Sequence, residues 1–322
     1  MNIPALAARG RARSLIVALV AAAAACCGPD RSAAGESAGR SADERQGVRT
    51  SAAELCSPSN EPFEVAVGGA KRRAVVKVPG GAAAPLPAVV LVHGFAARAD
   101  EFVESSGIGQ QADAAGVVVI APQGQGDPPG WHVLAGFEAD DAFVTQLLDR
   151  LTQSGCVDPK HVAMGGHSAG SAFTAFYGCA HPDRFTGLVL NAGLPPPLCQ
   201  DGTPNLVITH GTDDPVVPFD GGDQAVGAAT IELGSIPDSA AAWAAQAGCG
   251  EPTESGGRGV GPVRWTRWSG CTGGTSVSLA AIDGWGHAWP MAGSPAGLDD
   301  GCLLIAAAVG VASADDVLAT CG

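Results

Sequence analysis

Residues 162–171 read Val-Ala-Met-Gly-Gly-His-Ser-Ala-Gly-Ser, and this stretch decides the predicted fold. An apolar run typical of a buried strand ends in a Gly-x-Ser-x-Gly pattern centred on Ser168, and a small-residue segment typical of a helix follows. On such a sharp strand-to-helix turn the serine hydroxyl is exposed, and the flanking glycines remove side chains that would collide. Because the chain contains 46 glycines, the pattern alone is weak, and the surrounding sequence has to decide.

Strand-like and helix-like segments alternate along most of the chain. An opening hairpin is predicted at 63–67 and 74–78, and later elements are a helix at 239–247, strands at 263–268 and 277–282, and an apolar segment at 302–311. Between them, strands at 88–92, 116–120, 162–165, 188–190 and 206–209 alternate with helices at 100–115, 140–152 and 169–179. This order predicts an α/β fold whose mostly parallel sheet carries helices on both faces. We expect a single domain over residues 56–322.

The N-terminal residues have the composition of an export signal. Three arginines precede an apolar run within residues 1–25, and the run is too short for a membrane span. Cys26 follows directly, as in a bacterial lipoprotein, although ordinary cleavage after the small residues is the alternative. Residues 26–55 are polar and small, which is typical of a flexible tether. We therefore expect a secreted or cell-envelope protein, with a lipid anchor at Cys26 as one form of attachment.

Composition restricts the partners of this chain. Of its 322 residues 46% are hydrophobic and only 16% charged, which describes a well-filled globular core. The formal net charge is −14, and the sequence has no cluster of lysine and arginine outside the N-terminus. Because nucleic-acid binding requires concentrated positive charge, it is excluded as a main function. We expect a monomer that uses no metal and no cofactor.

Beyond Cys26 and Cys27, eight cysteines favour disulfides over metal ligands, because their number is even and the sequence has the composition of an export signal. Spacing alone does not determine connectivity. The short-range pairs are Cys179–Cys199, Cys249–Cys271 and Cys302–Cys321, which leaves Cys56–Cys156 as the fourth.

A nucleophilic serine needs a base and an acid that orients the base, and in this class of fold they follow in the order serine, acid, histidine. His287 fits the base, because it lies in a glycine-rich loop after the predicted strand at 277–282. Two carboxylates, Asp213 and Asp214, follow the strand at 206–209. We favour Asp214, since a proline fixes the backbone directly after it, and Asp213 is the second candidate.

Backbone N–H groups have to stabilise the oxyanion of an acyl-transfer reaction. The sequence predicts those of Ala169, directly after the serine, and Phe95, in the turn after the strand at 88–92, with His93 supporting that turn. The long segment 122–138 is expected to overhang the site. Candidate substrate-binding residues are Trp131, His132, His167, Trp285 and Trp289, although the tryptophans fit simple packing equally well.

Taken together, several motifs resemble the group of secreted polyhydroxybutyrate depolymerases, feruloyl esterases and acetylxylan esterases within the α/β-hydrolases. The matching motifs are His93-Gly94, Asp140-Asp141-x-Phe143, Val157-Asp158-Pro159-Lys160-His161-Val162, Gly166-His167-Ser168-Ala169-Gly170, His210-Gly211-Thr212-Asp213-Asp214-x-x-Val217-Pro218 and Gly286-His287-Ala288-Trp289-Pro290. The resemblance covers residues 56–292 and implies a triad of Ser168, Asp214 and His287. It departs at Ser171, where such proteins often have a second glycine.

The expected function is a serine carboxylic-ester hydrolase that acts through an acyl-enzyme. The resemblance implies feruloyl or acetyl esters of polysaccharides, or short polyhydroxyalkanoate esters, as substrates. A serine exopeptidase is one alternative, but it typically requires a specificity domain. A hydrolase-like surface binding protein without turnover is the other, and it predicts a broken triad.

Overall fold

The computed structural model describes residues 56–57, 62–81, 83–133, 135–194, 199, 202–226, 229–256, 262–310 and 321. The predicted export signal (1–25), the tether (26–55) and Cys26 lie outside the described residues. Within the described part of the chain, no helix is both long and apolar enough to span a membrane.

The described chain alternates between strands and helices over most of its length. The strands are β1 (Phe63–Val67), β2 (Ala70–Lys77), β3 (Leu86–Val92), β4 (Val118–Pro122), β5 (Val157–His167), β6 (Gly187–Asn191), β7 (Leu206–Gly211), β8 (Gly222–Val226), β9 (Ala229–Leu233), β10 (Thr253–Gly256), β11 (Val263–Trp268) and β12 (Val277–Ile282). The helices are α1 (Ala99–Ser105), α2 (Ile108–Ala115), α3 (Phe137–Gln153), α4 (Ala169–Ala180), α5 (Ile236–Gln246) and α6 (Asp300–Ala308).

Ten strands form one sheet in the order β1-β2-β4-β3-β5-β6-β7-β12-β11-β10. The inner strands from β4 to β12 are parallel, whereas β1 and β2 on one edge and β11 and β10 on the other pair antiparallel. Strands β8 and β9 form a separate hairpin. The nucleophile strand β5 lies between β3 and β6, near the middle of the sheet.

Helices cover both faces of the sheet, as predicted. Helices α3, α4 and α5 contribute Phe143, Phe173 and Trp243 to one hydrophobic core. Helices α1, α2 and α6 contribute to a second core on the opposite face, through residues that include Phe102, Ile108 and Leu304. The side chains of the inner strands alternate between these two cores, which explains why the sequences of these strands are mostly apolar.

The structure corrects the predicted elements in two places. The predicted helix at 100–115 is two helices, α1 and α2, because Gly107 between them adopts a left-handed conformation with φ 71°. The hairpin of β8 and β9 and the edge strand β10 were not predicted. These strands are at most five residues long, and the four residues of β10 are all exposed, so they lack the long apolar runs that mark the inner strands.

Three of the four disulfide pairings are confirmed: Cys179–Cys199, Cys249–Cys271 and Cys302–Cys321. The fourth, Cys56–Cys156, is wrong, because the two residues are not disulfide-bonded. Cys156 is fully buried in the core, whereas Cys56 is half-buried and its Sγ lies 3.9 Å from Ser154 Oγ. The even count of cysteines therefore overstated the number of bridges.

A buried ion pair fastens β2 to α3. Arg72 Nη2 donates to Asp140 Oδ1 at 2.8 Å, and the side chains of both residues are at most 3% exposed. The guanidinium also lies over the Phe143 ring, 4.2 Å from its centroid. We expect Arg72→Met to lower the free energy of unfolding by about 3–5 kcal/mol, because the Asp140 carboxylate stays buried but loses the guanidinium that pairs with it.

Chemical denaturation of both proteins measures this loss. Arg98→Met is the matched control, since Arg98 forms an exposed pair with Asp100 at 3.2 Å. Removal of such a surface pair costs less than about 1 kcal/mol. Equal losses in the two variants would contradict the assignment of a stabilising role to the buried pair.

Candidate active site

Ser168 lies in the sharp turn between β5 and α4. Its backbone has φ 54° and ψ −119°, a strained conformation for a residue with a side chain. A Cβ on Gly166 would collide with the backbone of Gly170, and one on Gly170 would collide with the carbonyl oxygens of Val92 and His93. Both glycines of the pattern are therefore required by close backbone approaches, and the turn is locked between β3, β5 and α4.

The predicted serine, acid and histidine meet at the carboxyl edge of the sheet. His287 Nε2 lies 2.9 Å from Ser168 Oγ, and His287 Nδ1 lies 2.7 Å from Asp214 Oδ2. Each residue belongs to a loop that follows a parallel strand: β5 for the serine, β7 for the acid and β12 for the histidine. The side chains form one continuous hydrogen-bonded chain, although 119 residues separate Ser168 from His287.

Asp214 is buried and held as a carboxylate. Its Oδ1 accepts hydrogen bonds from the backbone N–H groups of Val216 and Val217, each at 2.8 Å. Burial favours the neutral carboxyl, but the hydrogen bonds from His210 and His287 and from the two backbone groups outweigh it. The pKa of Asp214 is consequently well below its usual value.

Asp213, the second candidate for the acid, points elsewhere. Its side chain is exposed, with Thr212 Oγ1 at 3.3 Å from Oδ1, and its backbone N–H donates to Trp285 O at 3.0 Å. The structure brings Asp214, and not its neighbour, to His287.

The two predicted oxyanion donors lie on the chain segments that follow β3 and β5. Ala169 is the first residue of α4, so its N–H has no partner within the helix and lies at the positive end of the helix dipole. Phe95 lies in the turn after β3, and the adjacent Gly94 approaches Ser168 so closely that a Cβ there would lie 3.4 Å from Ser168 Cβ. Ala96 follows with φ 61° and donates its N–H to Pro129 O at 2.8 Å.

Comparison with known proteins agrees with the fold described above. A family model described as alpha/beta hydrolase fold matches residues 87–205. The chain has the α/β-hydrolase fold. The acetyl xylan esterase from Aspergillus awamori has a similar structure with a TM-score of 0.56 at 14% identity, over 73% of this chain and 96% of that one.

Two curated relatives confirm the resemblance to the esterase and depolymerase group. Feruloyl esterase B of Piromyces equi is 28% identical over 67% of this chain. Poly(3-hydroxybutyrate) depolymerase of Ralstonia pickettii is 29% identical over 34% of this chain. The chain spans 42% and 25% of the lengths of these two relatives.

His93 supports the turn after β3, which carries Phe95. Its Nδ1 donates to Gly94 O at 2.7 Å, and its Nε2 accepts from Gly124 N at 3.0 Å. Burial lowers the pKa of His93, although the bond to the Gly94 carbonyl opposes this shift. A neutral imidazole that donates at one nitrogen and accepts at the other ties β3 to the loop after β4.

The loop between β4 and α3, which the sequence predicted to overhang the site, packs against the same turn. Trp131 Nε1 donates to His93 O at 2.9 Å, and its ring stacks on Phe173 with centroids 4.8 Å apart. His132 donates its backbone N–H to Asp140 Oδ2, and its Nδ1 lies 2.9 Å from the same oxygen. These contacts hold the loop in place next to Phe95.

The other two tryptophans among the substrate-binding candidates, Trp285 and Trp289, also make packing contacts. Trp289 is 8% exposed and contacts Phe102 edge-to-face, with centroids 5.3 Å apart. Trp285 donates its Nε1–H to Ala288 O at 3.0 Å, within the loop that carries His287. Both contacts help to hold the loop that carries His287 in place.

Sequence reasoning missed four polar residues behind the site. His210 was assigned no role, although it belongs to one of the matching motifs. It donates Nε2–H to Val217 O at 2.8 Å and lies 3.3 Å from Asp214 Oδ2. Asn191, Thr209 and Asp300 form a buried chain that ends on His167. The available signal was their position, because Asn191 and His210 lie at the carboxyl ends of β6 and β7, the two strands that follow β5 in the sheet.

Proposed function

We propose that the chain is a serine carboxylic-ester hydrolase that acts through an acyl-enzyme. The observation that carries the proposal is the hydrogen-bonded sequence of Ser168 Oγ, His287 and Asp214 at 2.9 and 2.7 Å. Ser168 lies on a strained turn of an α/β-hydrolase fold. The backbone N–H groups of Phe95 and Ala169 are the proposed oxyanion donors. This combination is the one that acyl transfer by a serine nucleophile requires.

In the first half-reaction Ser168 Oγ attacks the ester carbonyl carbon, and His287 Nε2 takes the hydroxyl proton. The N–H groups of Phe95 and Ala169 stabilise the oxygen that becomes negative in the tetrahedral intermediate. When the intermediate collapses, the bond to the leaving alkoxide breaks and His287 returns the proton to it. The products are the free alcohol and an acyl ester on Ser168.

In the second half-reaction water replaces the alcohol. His287 Nε2 removes a proton from water as it attacks the acyl carbon, and then delivers that proton to Ser168 Oγ. The acid is released and the enzyme is restored. The Asp214 carboxylate holds the Nδ1–H of His287 and stabilises the imidazolium that forms in each half-reaction.

The proposed substrates are feruloyl or acetyl esters of polysaccharides, or short polyhydroxyalkanoate esters. The names of the relatives support these classes. The exposure of Phe95 (59%) and Val216 (48%), which adjoin the oxyanion turn and the acid, supports an apolar acyl group in this region. We further propose secretion or attachment to the cell envelope, which three disulfides support, and a monomeric protein.

A substrate panel tests the proposal. It consists of p-nitrophenyl acyl esters, methyl ferulate, hydroxybutyrate oligomers and a dipeptidyl p-nitroanilide, each assayed with the wild type and with Ser168→Ala. We expect turnover of at least one ester class by the wild type and none by the variant. Turnover of the anilide alone would identify an exopeptidase, and no turnover at all would favour a binding protein.

A further inference from the structure

A chain of buried polar side chains links the residue next to the nucleophile to helix α6. His167 Nδ1 lies 2.6 Å from Asn191 Oδ1, and Asn191 Nδ2 donates to Thr209 Oγ1 at 3.0 Å. Thr209 Oγ1 in turn donates to Asp300 Oδ2 at 2.6 Å. Asn191, Thr209 and Asp300 are at most 1% exposed, and the triad does not use any of them.

The donors and acceptors of this chain determine its direction. The Thr209 hydroxyl gives its single hydrogen to Asp300, so it can only accept from Asn191 Nδ2. The amide oxygen of Asn191 then faces His167, and His167 Nδ1 has to carry a hydrogen. Asn191 Nδ2 also faces two further acceptors, the Thr209 carbonyl oxygen at a long 3.5 Å and the side chain of Asp300.

His167 is uncharged at neutral pH. Burial lowers its pKa to about 4, although the bond to Asn191 works in the opposite direction. The charged and titratable groups that act on it are His287, Asp214 and His210. A neutral imidazole with a hydrogen on Nδ1 carries a bare lone pair on Nε2.

The far end of the chain is uncharged as well. Asp300 is fully buried, and its Oδ1 has no hydrogen-bond partner among the described residues. Burial raises the pKa of Asp300 to about 8, and the neighbouring Asp299 carboxylate adds to the shift while the Thr209 hydroxyl opposes it. The direction of the Asn191 amide does not depend on the proton of Asp300, because the Thr209 carbonyl oxygen near Asn191 Nδ2 can only accept a hydrogen bond.

His167 packs directly against the proposed base. The ring centroids of His167 and His287 are 4.9 Å apart, with the planes tilted by 49°. With the hydrogen on Nε2 instead, His167 would present a donor beside His287. That donor would compete with the Ser168 hydroxyl for the lone pair of His287 Nε2, which has to be free to take the serine proton.

We propose that Asn191, Thr209 and Asp300 are positioning residues that hold His167 in its Nδ1–H tautomer beside the catalytic base. The effect on catalysis rests on the proposed function. The tautomer of His167 can be tested whether or not the protein is an esterase. The positioning residues touch neither the substrate nor the reacting atoms. They act through His167, and helix α6 is thereby coupled to the nucleophile turn.

Thr209→Val and Thr209→Ser form a matched pair for the test. Valine has the shape of threonine without the hydroxyl, so Asn191 Nδ2 loses its 3.0 Å hydrogen bond and the amide can rotate its NH₂ group toward His167 more easily. Serine keeps the hydroxyl. Nitrogen-15 NMR of the histidine side chains in substrate-free protein reports which ring nitrogen of His167 carries the hydrogen, with His167→Gln used to assign the signals.

We expect the Nδ1–H form in the wild type and in Thr209→Ser, and a mixture of both tautomers in Thr209→Val. With the best ester substrate, kcat of Thr209→Val should fall about tenfold at unchanged KM, while Thr209→Ser stays within about twofold of the wild type. An Nε2–H or charged His167 in the wild type, or a retained Nδ1–H form in Thr209→Val, overturns the proposal. Equal loss of kcat in both variants also overturns it.

Asp300→Asn provides a second test that does not remove a hydroxyl from the core. Its amide oxygen can accept from Thr209 as a neutral carboxyl does, so we expect the wild-type tautomer and wild-type kcat. Loss of the Nδ1–H form in this variant contradicts a neutral acceptor at residue 300. If none of these proteins cleaves an ester, the proposed function fails, whereas the NMR result still decides the tautomer.

Discussion

Replacement of Ser168 by alanine is expected to lower kcat for ester hydrolysis by about 10⁴–10⁶-fold. The variant removes the atom that forms the acyl-enzyme, and no other hydroxyl lies within hydrogen-bond distance of His287 Nε2 among the described contacts. Because alanine fits the volume of the serine side chain, the thermal unfolding temperature should change by only a few degrees. The residual rate should come from the oxyanion donors and from binding alone.

Steady-state kinetics on the best ester of the panel measure this loss. A fluorophosphonate probe adds a covalent readout, since it should label the wild type and leave Ser168→Ala unlabelled. Ser171→Ala is the matched control, because Ser171 is buried in the first turn of the same helix and should keep its activity and its labelling. Labelling of Ser168→Ala at full rate would mean that another residue is the nucleophile.

Replacement of Asp214 by asparagine is expected to lower kcat by about 10⁴-fold. Asparagine has the size of the carboxylate, but it can present an N–H donor to His287 Nδ1 and thereby favour the tautomer with its hydrogen on Nε2. That tautomer cannot accept the Ser168 proton. Since the hydrogen bonds of Asp214 lower its pKa, the carboxylate stays charged as the pH falls through the acid range. We therefore expect the acid limb of the kcat/KM profile to arise from another group.

Asp213→Asn is the control for this variant, because Asp213 is adjacent in sequence but exposed and turned away from His287. It should retain activity within about twofold, since an exposed charge is screened by water and salt. The ratio of the two kcat values separates the neighbouring carboxylates. A larger loss in Asp213→Asn than in Asp214→Asn would reverse the assignment of the acid.

Local sequence sufficed to predict the proposed site because each of its parts follows a strand of strong apolar character. Ser168 lies in a glycine pattern that only a sharp turn requires, and His287 lies in a glycine-rich loop. Their order along the chain limited the acid to the pair at 213–214. The proline after Asp214 favoured the residue that the structure brings to His287.

Residues that act through distant contacts were outside the reach of local patterns. In the sequence, His210 and Asn191 look like ordinary strand ends. Asp300 lies just before the predicted apolar segment at 302–311 and has no motif around it. Thr209 and Asp300 meet across 91 positions of sequence, and only the packing of α6 against the sheet places them together. Likewise, only the structure shows that Cys56 and Cys156 do not form a bridge.

The sequence by itself determined the strand–turn–helix at Ser168 and the mostly parallel sheet. Each of these depends on residue types and spacings that are close along the chain. The tertiary structure alone decided the break between α1 and α2, the direction of the two carboxylates and the polar chain behind His167. These depend on which side chains become buried together, and the whole fold sets that burial. Where water is excluded, buried polar groups have to find hydrogen-bond partners within the protein.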